Sequence, residues 1–144
     1  MWGLILLAVV AGLAITLQGQ FTGQMEATAG VWESVFVTFV SGALVIALVL
    51  AFMRGGKLGA LRELPPYVFS AGLLGLFIVG TIAYIVPRLG LVVGFSVILL
   101  AQYSLAALID QFGWFGAVAR PLETGRLLGL GVMALGVWLV VRSS

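Results

Sequence analysis

The chain has 144 residues, of which 62% are hydrophobic and 8% charged, with seven Lys and Arg against five Asp and Glu. A soluble domain carries about 25% charged residues, so this composition cannot build a water-facing surface. There is no Cys and no His, which excludes disulfides, thiolate or imidazole metal sites, and any catalytic triad that needs His. Five scattered carboxylates suit neither a hard-metal cage nor a carboxylate-pair hydrolase, so no metal, no other cofactor and no enzymatic activity are expected. The pI near 9.5 rests on only two net charges. It reflects Arg and Lys at a lipid surface, not a nucleic-acid partner.

Five long apolar stretches carry the sequence, and nearly all the charges fall in the gaps between them. Runs of about 18 or more apolar residues read as membrane-spanning helices. A closed β-barrel would need period-two alternation, which these uniformly apolar runs lack. The expected fold is therefore an all-α integral membrane protein, one five-helix domain over residues 1–144. The spans are drawn at about 2–24, 32–53, 66–86, 91–109 and 126–141. The start, Met-Trp-Gly, has no basic residue before the apolar run, so the first stretch is expected to be a retained helix rather than a cleaved signal peptide. Arg54 to Pro65 and Phe112 to Thr124 form the two longer connections. Pro87-Arg88-Leu89-Gly90 is expected to be a tight turn, because proline and glycine punctuate it. The fifth span is short for a bilayer, and Arg126 and Arg142 at its ends would snorkel to ease the mismatch.

Five is an odd number, so the two ends of the chain are expected on opposite faces of the membrane. A second copy can complement the first only by inserting upside down. Arg54, Lys57, Arg62, Arg120 and Arg126 lie on the N-terminal side, against Arg88 and Arg142 on the other. The positive-inside rule then places the N-terminus in the cytoplasm and the C-terminus outside. The bias is modest, and it leaves a mixed-orientation population open.

Polar groups in lipid are costly, so those that persist face a cavity or a partner helix. In the first helix Ala8, Gly12, Thr16, Gln20 and Gln24 recur every four residues, and Gln18, Thr22 and Glu26 form a neighbouring stripe. These residues read either as cavity lining, with Gln18, Gln20 and Thr22 as candidates, or as interhelical hydrogen-bonding and close packing. In the fourth helix Gln102 and Tyr103 lie near mid-span, with Ser96 on an adjacent strip, as further cavity candidates. The alternative for them is a core hydrogen bond between helices. Asp110, near the end of that helix and close in sequence to Arg120, reads as a salt bridge or a charge carrier; Arg88 and Arg120 are the other charge or gating candidates. Glu33 falls in the first turn of the second helix, where a carboxylate suits the dipole, and with Glu26 it would make an acidic vestibule. Gly125, Gly129 and Gly136 mark the fifth helix as a packing or dimer surface.

The order of parts resembles a known family. Leu-Gln-Gly-Gln-Phe (17–21), Pro-Arg-Leu-Gly (87–90), Leu-Ala-Gln-Tyr-Ser-Leu-Ala-Ala-Leu-Ile-Asp-Gln-Phe-Gly (100–113), Arg120-Pro121-Leu122 and a glycine-rich last helix follow one another. Over essentially the whole chain this resembles the half-size, five-helix YdcZ-like branch of the drug/metabolite transporter superfamily, an EamA-like half. The resemblance implies a protein of the prokaryotic cytoplasmic (inner) membrane. It also implies one half of a transporter that pairs with a second copy or close homologue as an antiparallel dimer. Helices one to four would line the path and helix five would sit at the periphery or dimer contact, with alternating access by two inverted halves. Small multidrug exporters of the superfamily carry a glutamate midway along helix one, whereas Trp2 to Leu17 here contains no acid. Thr22 likewise stands where the family's helix-one motif has asparagine. An amide-lined cavity suits a neutral or zwitterionic metabolite better than a lipophilic cation. A dual-topology channel and a non-transporting membrane assembly subunit are the alternatives.

Overall fold

A computed structural model describes residues 1–144. It contains five α-helices and no strand: α1 Trp2–Ala29, α2 Val31–Phe52, α3 Ala71–Leu89, α4 Leu91–Phe112 and α5 Thr124–Arg142. Short 3-10 turns at Leu58–Glu63 and Pro66–Ser70 precede α3, and a third at Trp114–Gly116 follows α4. Each of the five helices, α3 together with the turn before it, is long and apolar enough to cross a membrane. The chain forms two compact units, Met1–Arg88 and Leu89–Ser144.

In the first unit the packing is concentrated towards the α1–α2 turn. Gly19, Thr22 and Gly23 of α1, Ser34 and Val35 of α2, and Ala83 and Val86 of α3 are its buried residues. Small residues allow this because they let helix backbones approach closely. A Cβ on Gly23 would come within 3.1 Å of Val86 Cγ1 and 3.4 Å of the Pro87 ring, and one on Gly75 within 3.3 Å of the Phe39 ring. The Ser34 hydroxyl donates across the α1–α2 seam to the Thr22 carbonyl at 3.2 Å. By contrast, residues 2–18 of α1 and 39–49 of α2 are exposed.

Gly30 alone joins α1 to α2. Its φ of 105° is open to glycine and strained for any other residue, and its N–H donates to the Glu26 carbonyl at 2.9 Å. Glu33 does stand in the first turn of α2.

The second unit is a hairpin of α4 and α5. Gly113 ends α4 in the left-handed region at φ 65°, its N–H donating to the Ile109 carbonyl at 2.8 Å. The connection then folds back on the helix it has left. Arg120 N–H donates to the Asp110 carbonyl at 2.7 Å, and Leu122 N–H to Gln111 Oε1 at 2.6 Å.

Several boundaries differ from the sequence expectation; α3 begins at Ala71 after a 3-10 turn rather than at Pro66, and α4 runs to Phe112 rather than ending at Ile109. α1 runs on to Ala29 instead of stopping near Gln24, since Met-Glu-Ala-Thr-Ala keeps the helical register after strong apolarity ends. Pro87, Arg88 and Leu89 belong to the last turn of α3 rather than to a turn, and Gly90 is the one residue between α3 and α4. Pro87 lacks the N–H that would donate to the Ala83 carbonyl, so α3 loses one hydrogen bond there and ends two residues later at Leu89. α5 has 19 residues, Thr124–Arg142, or about 28 Å at 1.5 Å per residue, so it matches the hydrocarbon core more closely than expected.

The close approach at Gly23 makes a specific expectation. Gly23→Leu overpacks the α1–α3 contact and lowers stability by about 1–3 kcal/mol, whereas Gly3→Leu, where a Cβ meets no atom within 4 Å, changes it little. Thermal unfolding in one detergent compares the two, and equal melting temperatures would contradict the packing described.

Candidate functional site

The polar stripes of α1 separate into two kinds. Thr22 is 2% exposed and its hydroxyl donates to the Gly19 carbonyl at 3.1 Å, so it lies in the α1–α2 seam rather than facing open space. Gln18 is exposed, Gln20 half-buried and Gln24 exposed. Gln20 and Gln24 border a small depression with Gly23, Ala27, Val86 and Pro87, of about 210 Å³. Gln24 also edges a larger open groove of about 470 Å³ between α1 and α2, with Phe21, Glu33 and Ser34.

Glu26 and Glu33 do not act as a free acidic pair. Arg88, at the end of α3, donates to Glu26 Oε1 at 3.0 Å, with Glu26 only 10% exposed. The same guanidinium donates to the Tyr84 carbonyl and stacks over the Tyr84 ring at 3.7 Å. A cation over an aromatic face adds attraction to the ion pair and fixes the plane of the guanidinium. Glu26 and Arg88 are 62 residues apart, and the sequence gives no sign of their pairing.

The second unit gathers Tyr103, Ala106, Asp110, Arg126, Gly129 and Met133 along a groove of about 330 Å³ between α4 and α5. Asp110 pairs with Arg126, not with the Arg120 side chain: Arg126 Nη1 lies 3.9 Å from Asp110 Oδ2. Arg120 contributes its main-chain N–H to the Asp110 carbonyl instead. The ion pair is at the long limit of such contacts, and the two side chains are 48% and 45% exposed. Both charges therefore keep capacity for another partner. Ser96 donates within its own helix to the Val92 carbonyl at 2.6 Å.

Gln18, Gln20, Gln24 and Gln102 make no side-chain hydrogen bond within their units. Gln102 is exposed and near the middle of α4. The glycines of α5 are equally open, for a Cβ on Gly125, Gly129, Gly131 or Gly136 would meet nothing within 4 Å. At most 6% of the most apolar window of any span is buried. Large apolar faces and several amides are thus left for other neighbours.

These features define a multi-pass membrane protein of five spans with polar groups set into otherwise apolar helices. The chain belongs to the drug/metabolite transporter superfamily family described as "Putative inner membrane exporter, YdcZ", whose model matches residues 3–139. That membership supports a membrane transporter. No curated protein and no solved structure matches the chain.

The Glu26–Arg88 contact can be measured by a double-mutant cycle. Arg88→Gln leaves a largely buried carboxylate without its partner and costs about 1–3 kcal/mol, and Glu26→Gln in the same chain recovers part of that loss. Purely additive effects on the melting temperature would mean that the two side chains do not interact.

Proposed function

We propose that two copies of this chain, inserted in opposite orientations, enclose one path through which a small neutral or zwitterionic metabolite moves by alternating access. The observation that carries this reading is the set of unpartnered amides. An amide in hydrocarbon without a hydrogen-bonding partner costs several kcal/mol, and Gln18, Gln20 and Gln102 find none in their units. A water-filled cavity between two copies meets that need, and amides there can donate to and accept from an uncharged polar solute. Family membership supports transport, and the odd number of spans supports inversion of one copy. The open glycine face of α5 supports close contact between copies. The N-terminus lies in the cytoplasm in the orientation favoured by the five-against-two distribution of Lys and Arg.

Gln102→Ala reduces saturable counterflow in proteoliposomes by about tenfold, the effect of losing one strong hydrogen bond, while the melting temperature changes little. An equal loss of stability and flux would make Gln102 a packing residue, and ohmic, unsaturable current would make the assembly a channel.

The natural chain has no Cys, so introduced thiols report cleanly on α5. Leu128 and Leu139 are both exposed, near opposite ends of the helix. Leu128→Cys chains crosslink to Leu139→Cys chains when the two are mixed, as antiparallel helices require. Crosslinks formed only between identical positions would show parallel copies and overturn the inverted pair.

A further inference from the structure

We infer that the groove between α4 and α5 is a binding subsite for the head of a zwitterionic solute, with Asp110 taking its ammonium group and Arg126 its carboxylate or phosphate. This rests on the transporter reading and narrows its substrate class to molecules that carry both charges within a few bonds of each other. Three observations carry it. First, Asp110 and Arg126 present opposite charges side by side at 3.9 Å, each about half exposed. A closed, bidentate salt bridge would occupy the donors of the guanidinium, whereas this long contact leaves them free. A ligand whose own charges are reversed in order fits against the pair and exchanges one weak contact for two charge-assisted hydrogen bonds.

Second, the site is built before any ligand arrives. The Arg120 N–H to Asp110 carbonyl bond and the Leu122 N–H to Gln111 bond fasten the connection to the last turn of α4. Arg126 N–H in turn donates to the Glu123 carbonyl at 2.9 Å. The two charges are thus held by backbone from both directions, which lowers the ordering cost of binding.

Third, the walls suit the remainder of such a molecule. Ala106 and Gly129 open the trough where larger side chains would close it, and Tyr103, Leu130 and Met133 give it an apolar floor with one hydroxyl. At about 330 Å³ it lies within the range of small-ligand pockets. A free amino acid with an apolar side chain and the headgroup of a zwitterionic phospholipid share this chemistry.

The test uses purified full-length chain in detergent and leucine as the probe. Leucine methyl ester keeps only the positive charge, and N-acetylleucine keeps only the negative one. Leucine binds in equilibrium dialysis, and each analogue binds about tenfold more weakly or worse, as expected when one charged contact is lost. Asp110→Asn weakens leucine binding by a similar factor. The exchange of both charges, Asp110→Arg with Arg126→Asp, restores it, because a zwitterion can turn round. Displacement of leucine by short-chain phosphatidylethanolamine, but not by phosphatidylglycerol of the same chain length, supports the site with lipid as a source of the ligand. Equal binding of leucine and its two singly charged analogues by the natural chain would overturn the proposal without reliance on any variant. So would unchanged leucine binding in a well-folded Asp110→Asn chain. Such a failure is separable from failure of transport, since Gln102→Ala would still lower counterflow of the true substrate.

Discussion

The constraint on which everything else depends is that hydrocarbon offers no hydrogen bonds. Each backbone group must be paired within its own segment, which is why 144 residues of this composition resolve into five helices and no strand. The same constraint applies to side chains. Thr16, Thr28, Thr38, Ser96 and Ser104 answer it locally, by donating to a carbonyl one turn earlier. Gln18, Gln20, Gln24 and Gln102 do not do this and have no side-chain partner in their units, whereas Gln111 accepts from Leu122 N–H. Their need is the main physical reason to expect an aqueous or polar enclosure formed with a second copy.

Burial follows a related logic. In water the apolar surface would drive the five helices together, but lipid tails are as apolar as Leu, and association within the bilayer relies on close packing and polar contacts. The first unit shows both at one place. Gly23 admits Val86 and Pro87, Ser34 bonds to the Thr22 carbonyl, and Arg88 clasps Glu26 and lies over Tyr84. In the second unit the backbone bonds from Arg120 and Leu122 do the equivalent work at the end of the hairpin. Elsewhere the helices present Leu, Val, Ile and Phe to their surroundings. Such faces are normal towards lipid and equally serve a partner chain.

The fold was legible because the signal for a membrane helix is long and compositional. Five apolar runs produced five helices, in order, and the family resemblance carried by Pro87 to Gly90 and by residues 100–113 agrees with the match over residues 3–139. Ends were less legible. Apolarity faded after Gln24 while helical propensity continued to Ala29, and Pro87 looked like a break although α3 absorbs it in its last turn. The polar stripes were visible by their four-residue spacing, but not which stripe turned inward. Thr22 and Glu26 face the packing seam, whereas Gln18 stays exposed. Pairing at a distance was invisible: nothing local joins Glu26 to Arg88, and Asp110 turns its carboxylate to Arg126 although Arg120 is nearer in sequence.

The proposed function requires that one chain supply both halves of the path by inserting in both directions. Single thiols at the two ends of the otherwise Cys-free chain, labelled with a membrane-impermeant maleimide in intact and then in opened cells, measure this directly. Insertion in both directions labels each terminus from outside in roughly half of the molecules. Labelling of one terminus only, in a chain that by itself still catalyses saturable flux, would contradict it.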